Sequence, residues 1–184
     1  FRNEALQIGK NLSETTQLLA ENNNIQVKLL PVTNDRHPTL IVTENDELEF
    51  QEYFVHRKTE ESVKSINFPL ADSSKPAPGV LNAINAADFI IFAPSNPFVS
   101  IDPILAVPQI REHIIDSAAQ KIAISPIIEG QTIKGPAAKM MESMGHSVSS
   151  FGVAKMYHKL IDTFIVDIQD NHWVEEINGL NIKT

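Results

Sequence analysis

Three polar segments carry the side chains from which a site could be built. APSNPFVSI (93–101) offers Ser95, Asn96 and Ser100 among prolines; SPIIEGQTIKGP (125–136) offers Ser125, Gly130 and Gly135; TNDRHP (33–38) offers Asn34 and Asp35. Hydroxyl and amide groups bind without carrying charge, and glycines let the backbone come close to a ligand. Such a set could recognise a fixed polar group such as a phosphate or another anion. The first two segments each lead to a proline, Pro103 and Pro136, expected at the first position of a helix, where a missing N–H costs nothing. A helix start presents free N–H groups and a partial positive charge, which favour an anion. Stiff, proline-rich loops lower the ordering cost of binding. Lys134 and Lys139 flank the second helix start and could face the same anion. A plainer reading stands beside this one, because Ser-Pro and Asn-Pro pairs are common turn formers. Asn34 and Asp35 could touch a divalent ion or a ligand hydroxyl, or simply form an Asx-type turn.

Other chemistries fit less well. A nucleophile elbow at Ser95 needs small flanking glycines, whereas Pro94 and Pro97 stand there. The six histidines show no pair at zinc-ligand spacing on one helix, and no cysteine is present to supply a thiolate. The cluster Met140, Met141 and Met144 is most simply core packing.

The elements that must position these loops follow from hydrophobic pattern. A helix is expected over 13–22 with Ser13 as its cap, then strands over 25–32 and 39–43. The polar turn ENDE and the segment 48–57 predict a β-hairpin over 39–57. Residues 58–79 lack periodicity and read as a surface connection with one short strand near Ile66. From residue 80 onward strand and helix alternate. Helices are expected over 80–86, 103–118, 135–145 and 153–161, and strands over 88–93, 121–125, 147–150 and 163–167. The strands are apolar throughout, which indicates parallel pairing under helices. The predicted fold is therefore α/β: a three-layer Rossmann-like, largely parallel sheet with helices on both faces and a β-hairpin insertion, in one domain spanning 1–184. Ligands of such sheets bind beyond the carboxyl ends of the strands, where both candidate loops begin.

Composition narrows the class. The chain has 184 residues and a formal charge of −8, which argues against a non-specific nucleic-acid binder but leaves room for a nucleotide. No window has the roughly 18 uninterrupted apolar residues of a membrane span, and a cytoplasmic location is expected. The chain opens with Phe1 and enters a helix directly, so the natural beginning is expected upstream.

Taken in order, NLSETT, LLPVTNDR, LEFQEYFV, APSNPFVSIDPILAVPQIRE, AISPIIEGQTIKGPAAKMMESMG and SSFGVAKMYHKLIDTFIVD resemble the 2-phospho-L-lactate transferase family of coenzyme F420 biosynthesis across nearly the whole chain. The resemblance implies an enzyme that moves a phospholactate or phosphoenolpyruvate moiety from a guanosine diphosphate-linked donor to the deazaflavin Fo, releasing GMP with the help of Mg2+. It further implies a homodimer. On this resemblance Ser95, Asn96, Ser100, Ser125, Gly130 and Gly135 bind donor phosphate or sugar, and the acidic residues that handle the metal lie upstream of Phe1. Three positions depart from the family pattern. Ala93 and Asp102 stand where glycines are usual, and Glu129 replaces a small residue. Asp102 is expected to cap its helix or reach a magnesium ion. The alternative is a non-catalytic nucleotide-sugar-binding regulator of the same superfamily, whose phosphate loop tends to be richer in glycine.

Overall fold

The computed structural model describes residues 2–132 and 135–184. Two helices open the chain, α1 (Arg2–Gln7) and α2 (Leu12–Asn22). The cap of α2 is Asn11 rather than the expected Ser13: Asn11 Oδ1 accepts from Glu14 N, and Glu14 Oε2 accepts from Asn11 N. This reciprocal pair satisfies two of the N–H groups that a helix start leaves free.

The strand expected over 25–32 does not form. Val27 is 68% exposed, and the stretch is tied to the body by single contacts, such as Ala77 N donating to Val32 O, rather than by a strand ladder. Its apolar residues read as a buried strand, but no neighbouring strand pairs with them. The hairpin does form. β1 (Leu40–Val42) pairs antiparallel with β2 (Glu47–Glu49) on one side and β3 (Ser65–Asn67) on the other. Beyond β2 the chain turns helical over Glu52–His56 instead of continuing as strand. The pattern Leu48, Phe50, Phe54 permitted either outcome. Helical winding wins because it buries Tyr53 completely, with its hydroxyl donating to Glu61 O at 2.8 Å.

After α3 (Val80–Asn85) comes the parallel sheet, a set of three strands in the order β4 (Phe89–Phe92), β5 (Gln120–Ile124) and the strand Thr163–Ile165. Between β4 and β5 lie a wide helical turn, Pro97–Ile101, and two short helices, α4 (Asp102–Leu105) and α5 (Ile110–Asp116), where one long helix was expected. Pro103 is the second residue of α4, not the first. After β5 an unpredicted hairpin, β6 (Ile127–Ile128) and β7 (Gln131–Thr132), precedes α6 (Ala137–Ser143), for which Pro136 is the cap rather than the first residue. The strand expected over 147–150 does not form; the segment leads into α7 (Ser150–Met156), which Ser149 caps, its Oγ accepting from Gly152 N. The final elements are β8, the strand Thr163–Ile165, and α8 (Val174–Asn178).

Gly152 shows why the SSFG motif carries a glycine. A Cβ there would come within 2.0 Å of the Ser147 carbonyl oxygen, a clash that only backbone movement could relieve.

A parallel sheet flanked by helices, with an antiparallel hairpin beside it, is thus the architecture that the alternation of patterns predicts. One hydrophobic core runs from Ile41 and Tyr53 through Phe92 and Ala123 to Phe164 and Ile177. Coverage of the sheet is uneven. In register, Phe89, Ile91, Ile122, Ile124 and Ile165 share one face, and of these Phe89, Ile91 and Ile165 are 58%, 61% and 48% exposed. β8 receives further pairing from the C-terminal segment, with Phe164 N donating to Lys183 O. β4 lies at the other margin of the sheet. Among the described residues no helix is long and apolar enough to cross a membrane.

Candidate functional site

The loop after β4 and the loop after β5 meet. Together they line a cavity of about 510 Å³ at the carboxyl ends of these parallel strands, with Ser95, Asn96 and Ser100 from the first loop and Ser125 and Gly135 from the second. This is where an open parallel sheet offers room for a ligand.

The two loops use their polar groups differently. Among the described residues the hydroxyls of Ser95 and Ser100 have no hydrogen-bond partner, and both side chains line the cavity. Asn96 works for the fold: its Oδ1 accepts from Phe98 N at 2.9 Å, and its Nδ2 contacts Met140 Sδ at 3.2 Å. It thereby caps the turn Pro97–Ile101 that holds Ser100 in place. Ser125 is buried; its Oγ donates to Ile127 O at 2.7 Å and accepts from Ile127 N at 3.1 Å. Thr132 Oγ1 donates to Gly135 O, closing the end of the β6–β7 hairpin against the cavity.

Gly130 is not in the cavity lining. It sits with Glu129 in the two-residue turn between β6 and β7, where both residues have positive φ, +49° and +73°. That is what a type I′ turn demands, and glycine adopts it freely. The turn is held from outside by Asp170, whose Oδ1 accepts from Glu129 N at 3.1 Å.

Asn34 and Asp35 tie distant segments together instead of closing a local Asx-type turn. Asn34 Oδ1 accepts from both the backbone N and the hydroxyl of Ser13, and Asp35 Oδ2 accepts from Lys75 N. Asp35 borders a neighbouring cavity of about 640 Å³ with His37 and Arg36, which touches the first cavity at Phe50. Lys139 does not face an anion: its Nζ donates to the carbonyl oxygens of Thr59 and Glu60. Lys134 lies outside the described residues.

Two acidic departures from the family pattern also find their places. Neither Asp102 nor Glu129 lines the cavity. Asp102 caps no helix with its side chain; burial raises its carboxyl above the ordinary aspartate range, against the opposing pull of Arg111 and His146. Burial, and secondarily the neighbouring Asp102, pushes the Tyr157 phenol well above its usual value. Among the described residues no group of three or more His, Asp or Glu side chains could hold a metal ion. The cavity lining contains hydroxyls and an amide but no carboxylate, so these residues do not by themselves make a magnesium site.

Sequence reasoning did not single out Phe50, Phe54 and Thr132, which also line the cavity. The phenylalanines stand four apart, a helical spacing hidden inside what read as a strand. A further cavity of about 460 Å³ beside β4 is lined by apolar side chains such as Leu30, Ile84 and Ile110, and offers nothing to orient a phosphate.

Comparison with known proteins bears on this geometry. A model of the family 2-phospho-L-lactate transferase CofD matches residues 1–178. The chain is 39% identical over 186 residues to a phosphoenolpyruvate transferase of Kitasatospora aureofaciens, covering 98% of this chain and 58% of the relative. It is 36% identical over 156 residues to a 2-phospho-L-lactate transferase of Methanothermobacter thermautotrophicus, covering 85% of this chain and 49% of the relative. The chain therefore spans about half to three-fifths of the length of these curated relatives. In fold it is similar to the crystal structure of protein BH3568 from Bacillus halodurans, with a TM-score of 0.66 at 20% identity, over 100% of this chain and 62% of the other.

Proposed function

Because the chain belongs to the 2-phospho-L-lactate transferase CofD family, we propose that its cavity holds the phosphate-bearing part of a guanosine diphosphate-linked donor of phospholactate or phosphoenolpyruvate, and that the whole protein passes that moiety to the deazaflavin Fo. A hydroxyl oxygen of Fo forms a new bond to the phosphorus that bears the three-carbon unit. The bond from that phosphorus to the bridging oxygen breaks, GMP departs with the electron pair, and the hydroxyl proton passes to solvent or to a base. Such a transfer depends on positioning and on stabilising charge at the phosphoryl oxygens, with no covalent enzyme intermediate.

The observation that carries this reading is the meeting of two loops around one cavity, with Ser95 and Ser100 presenting unengaged hydroxyls to it. Asn96, Ser125 and Gly135 act by holding the walls. Magnesium belongs to the reading as a neutraliser of the donor's phosphates; the described lining supplies no carboxylate for it. A cytoplasmic homodimer completes the proposal. The test is a mass-spectrometric assay of the full-length protein with Fo, magnesium and each donor in turn. The expected result is an Fo adduct heavier by the phospholactate or enolpyruvyl phosphate unit, with one GMP per turnover. No adduct with either donor, together with tight binding of a uridine diphosphate sugar by calorimetry, would overturn it in favour of a nucleotide-sugar-binding regulator.

A further inference from the structure

One wall of the same cavity is aromatic. Phe50 and Phe54 both line it, and their rings stack with centroids 5.4 Å apart and planes 20° from parallel. Phe54 is 42% exposed, although its neighbour Tyr53 is wholly buried. That exposure is held in place by an anchored backbone. Phe50 N donates to Thr39 O, Thr59 N donates to Tyr53 O, and Tyr53 OH donates to Glu61 O. Lys139 ties the carbonyls of Thr59 and Glu60 to α6, which borders the same cavity. The wide helical turn Glu52–His56 is of a kind frequent at functional sites.

A fixed, half-exposed phenyl ring backed by a second ring offers one free π-face, and offset stacking of a third ring on it is favourable. From this juxtaposition we infer that Phe54, supported by Phe50, is a stacking platform for a planar fused heteroaromatic ring of one substrate, while Ser95 and Ser100 hold the phosphates of the donor. The inference rests on the proposed function, whose donor and acceptor each carry such a ring: guanine or deazaflavin. Stacking tolerates either, because it reads a π-face rather than a hydrogen-bond pattern.

The experiment measures binding of Fo, GDP and pyrophosphate to the full-length protein by calorimetry, for the wild type and for Phe54→Ala, Phe54→Leu and Phe54→Tyr. Pyrophosphate has no ring and reports whether the rest of the cavity is intact. The platform predicts that Phe54→Ala and Phe54→Leu weaken one ring ligand about tenfold or more, that Phe54→Tyr retains it, and that pyrophosphate is unaffected. Loss for Fo alone assigns the platform to the acceptor; loss for GDP alone assigns it to the donor. Wild-type affinity of Phe54→Leu for both ring ligands overturns the inference, and so does an equal loss for pyrophosphate, which would mark a purely structural role. Ring binding lost in Phe54→Leu, with a wild type that binds the ring but shows no group transfer, leaves the platform standing and removes the proposed reaction. Transfer by a Phe54→Leu variant with unaltered ring affinities does the reverse, and a wild type that binds neither ring ligand removes both.

Discussion

The loops that follow β4 and β5 are alike in composition and opposite in use. Both carry serine, proline and other small or polar residues, and both reach the same cavity. The first leaves Ser95 and Ser100 uncommitted and devotes only Asn96 to its own shape. The second turns its polar groups inward: Ser125 onto Ile127, Thr132 onto Gly135, and Gly130 into a hairpin turn. One loop presents binding groups and the other frames them. Polar residue type alone does not distinguish the two; the hydrogen-bond partner does.

Substitutions can break this contrast or sharpen it. The largest effect on stability is expected from Ser125→Ala, which strands the buried Ile127 N–H and should cost about 1–3 kcal/mol; an unchanged urea midpoint would mean that Ser125 is not a structural residue. Gly130→Val forces a branched side chain into a left-handed turn and should cost about 1–2 kcal/mol, with pyrophosphate affinity preserved in the folded fraction. Asn96→Ala removes a cap and should lose about 1 kcal/mol, read by thermal unfolding. Ser95→Ala and Ser100→Ala should alter stability by less than about 0.5 kcal/mol yet each weaken pyrophosphate about two- to tenfold in calorimetry. If these two destabilise and Ser125→Ala does not, the roles assigned to the loops are reversed.

The smallest effect concerns the support beneath the first loop. Because burial raises Asp102 in the folded state, the folded chain holds that proton more firmly than the unfolded chain. Its contribution to stability is fully present below the ordinary aspartate range and is lost as pH climbs through the raised value. Asp102→Asn should therefore flatten this part of the stability–pH curve and slightly raise the unfolding midpoint at neutral pH. Identical curves for the two proteins would show that Asp102 ionises in the folded state as freely as in the unfolded one.

Much of the fold was legible in the sequence. The runs around Ile90, Ala123 and Phe164 are short, apolar and separated by helical spacing, and each is a strand of the parallel sheet. The run at 25–32 has the same appearance and forms no strand, because pairing needs a neighbour that local pattern does not reveal. The turn from strand to helix at Phe50 was hidden for a related reason: residues two and four apart satisfy an alternating pattern, and only the burial of Tyr53 breaks the tie. The meeting of the two serine loops could be anticipated from strand order and the rule for parallel sheets. Whether a given hydroxyl faces the cavity or its own backbone could not, since Ser95 and Ser125 each follow a strand and neighbour a proline. Their difference lies in the β6–β7 hairpin, which no alternation of residues announced.

β4 forms one margin of the parallel sheet. A strand that offers a row of amide and carbonyl groups beside Phe89 and Ile91, both more than half exposed, is adhesive toward other extended chains. The chain should therefore self-associate with rising concentration, and Ile91→Lys should suppress this, so light scattering would read out how sticky that border is.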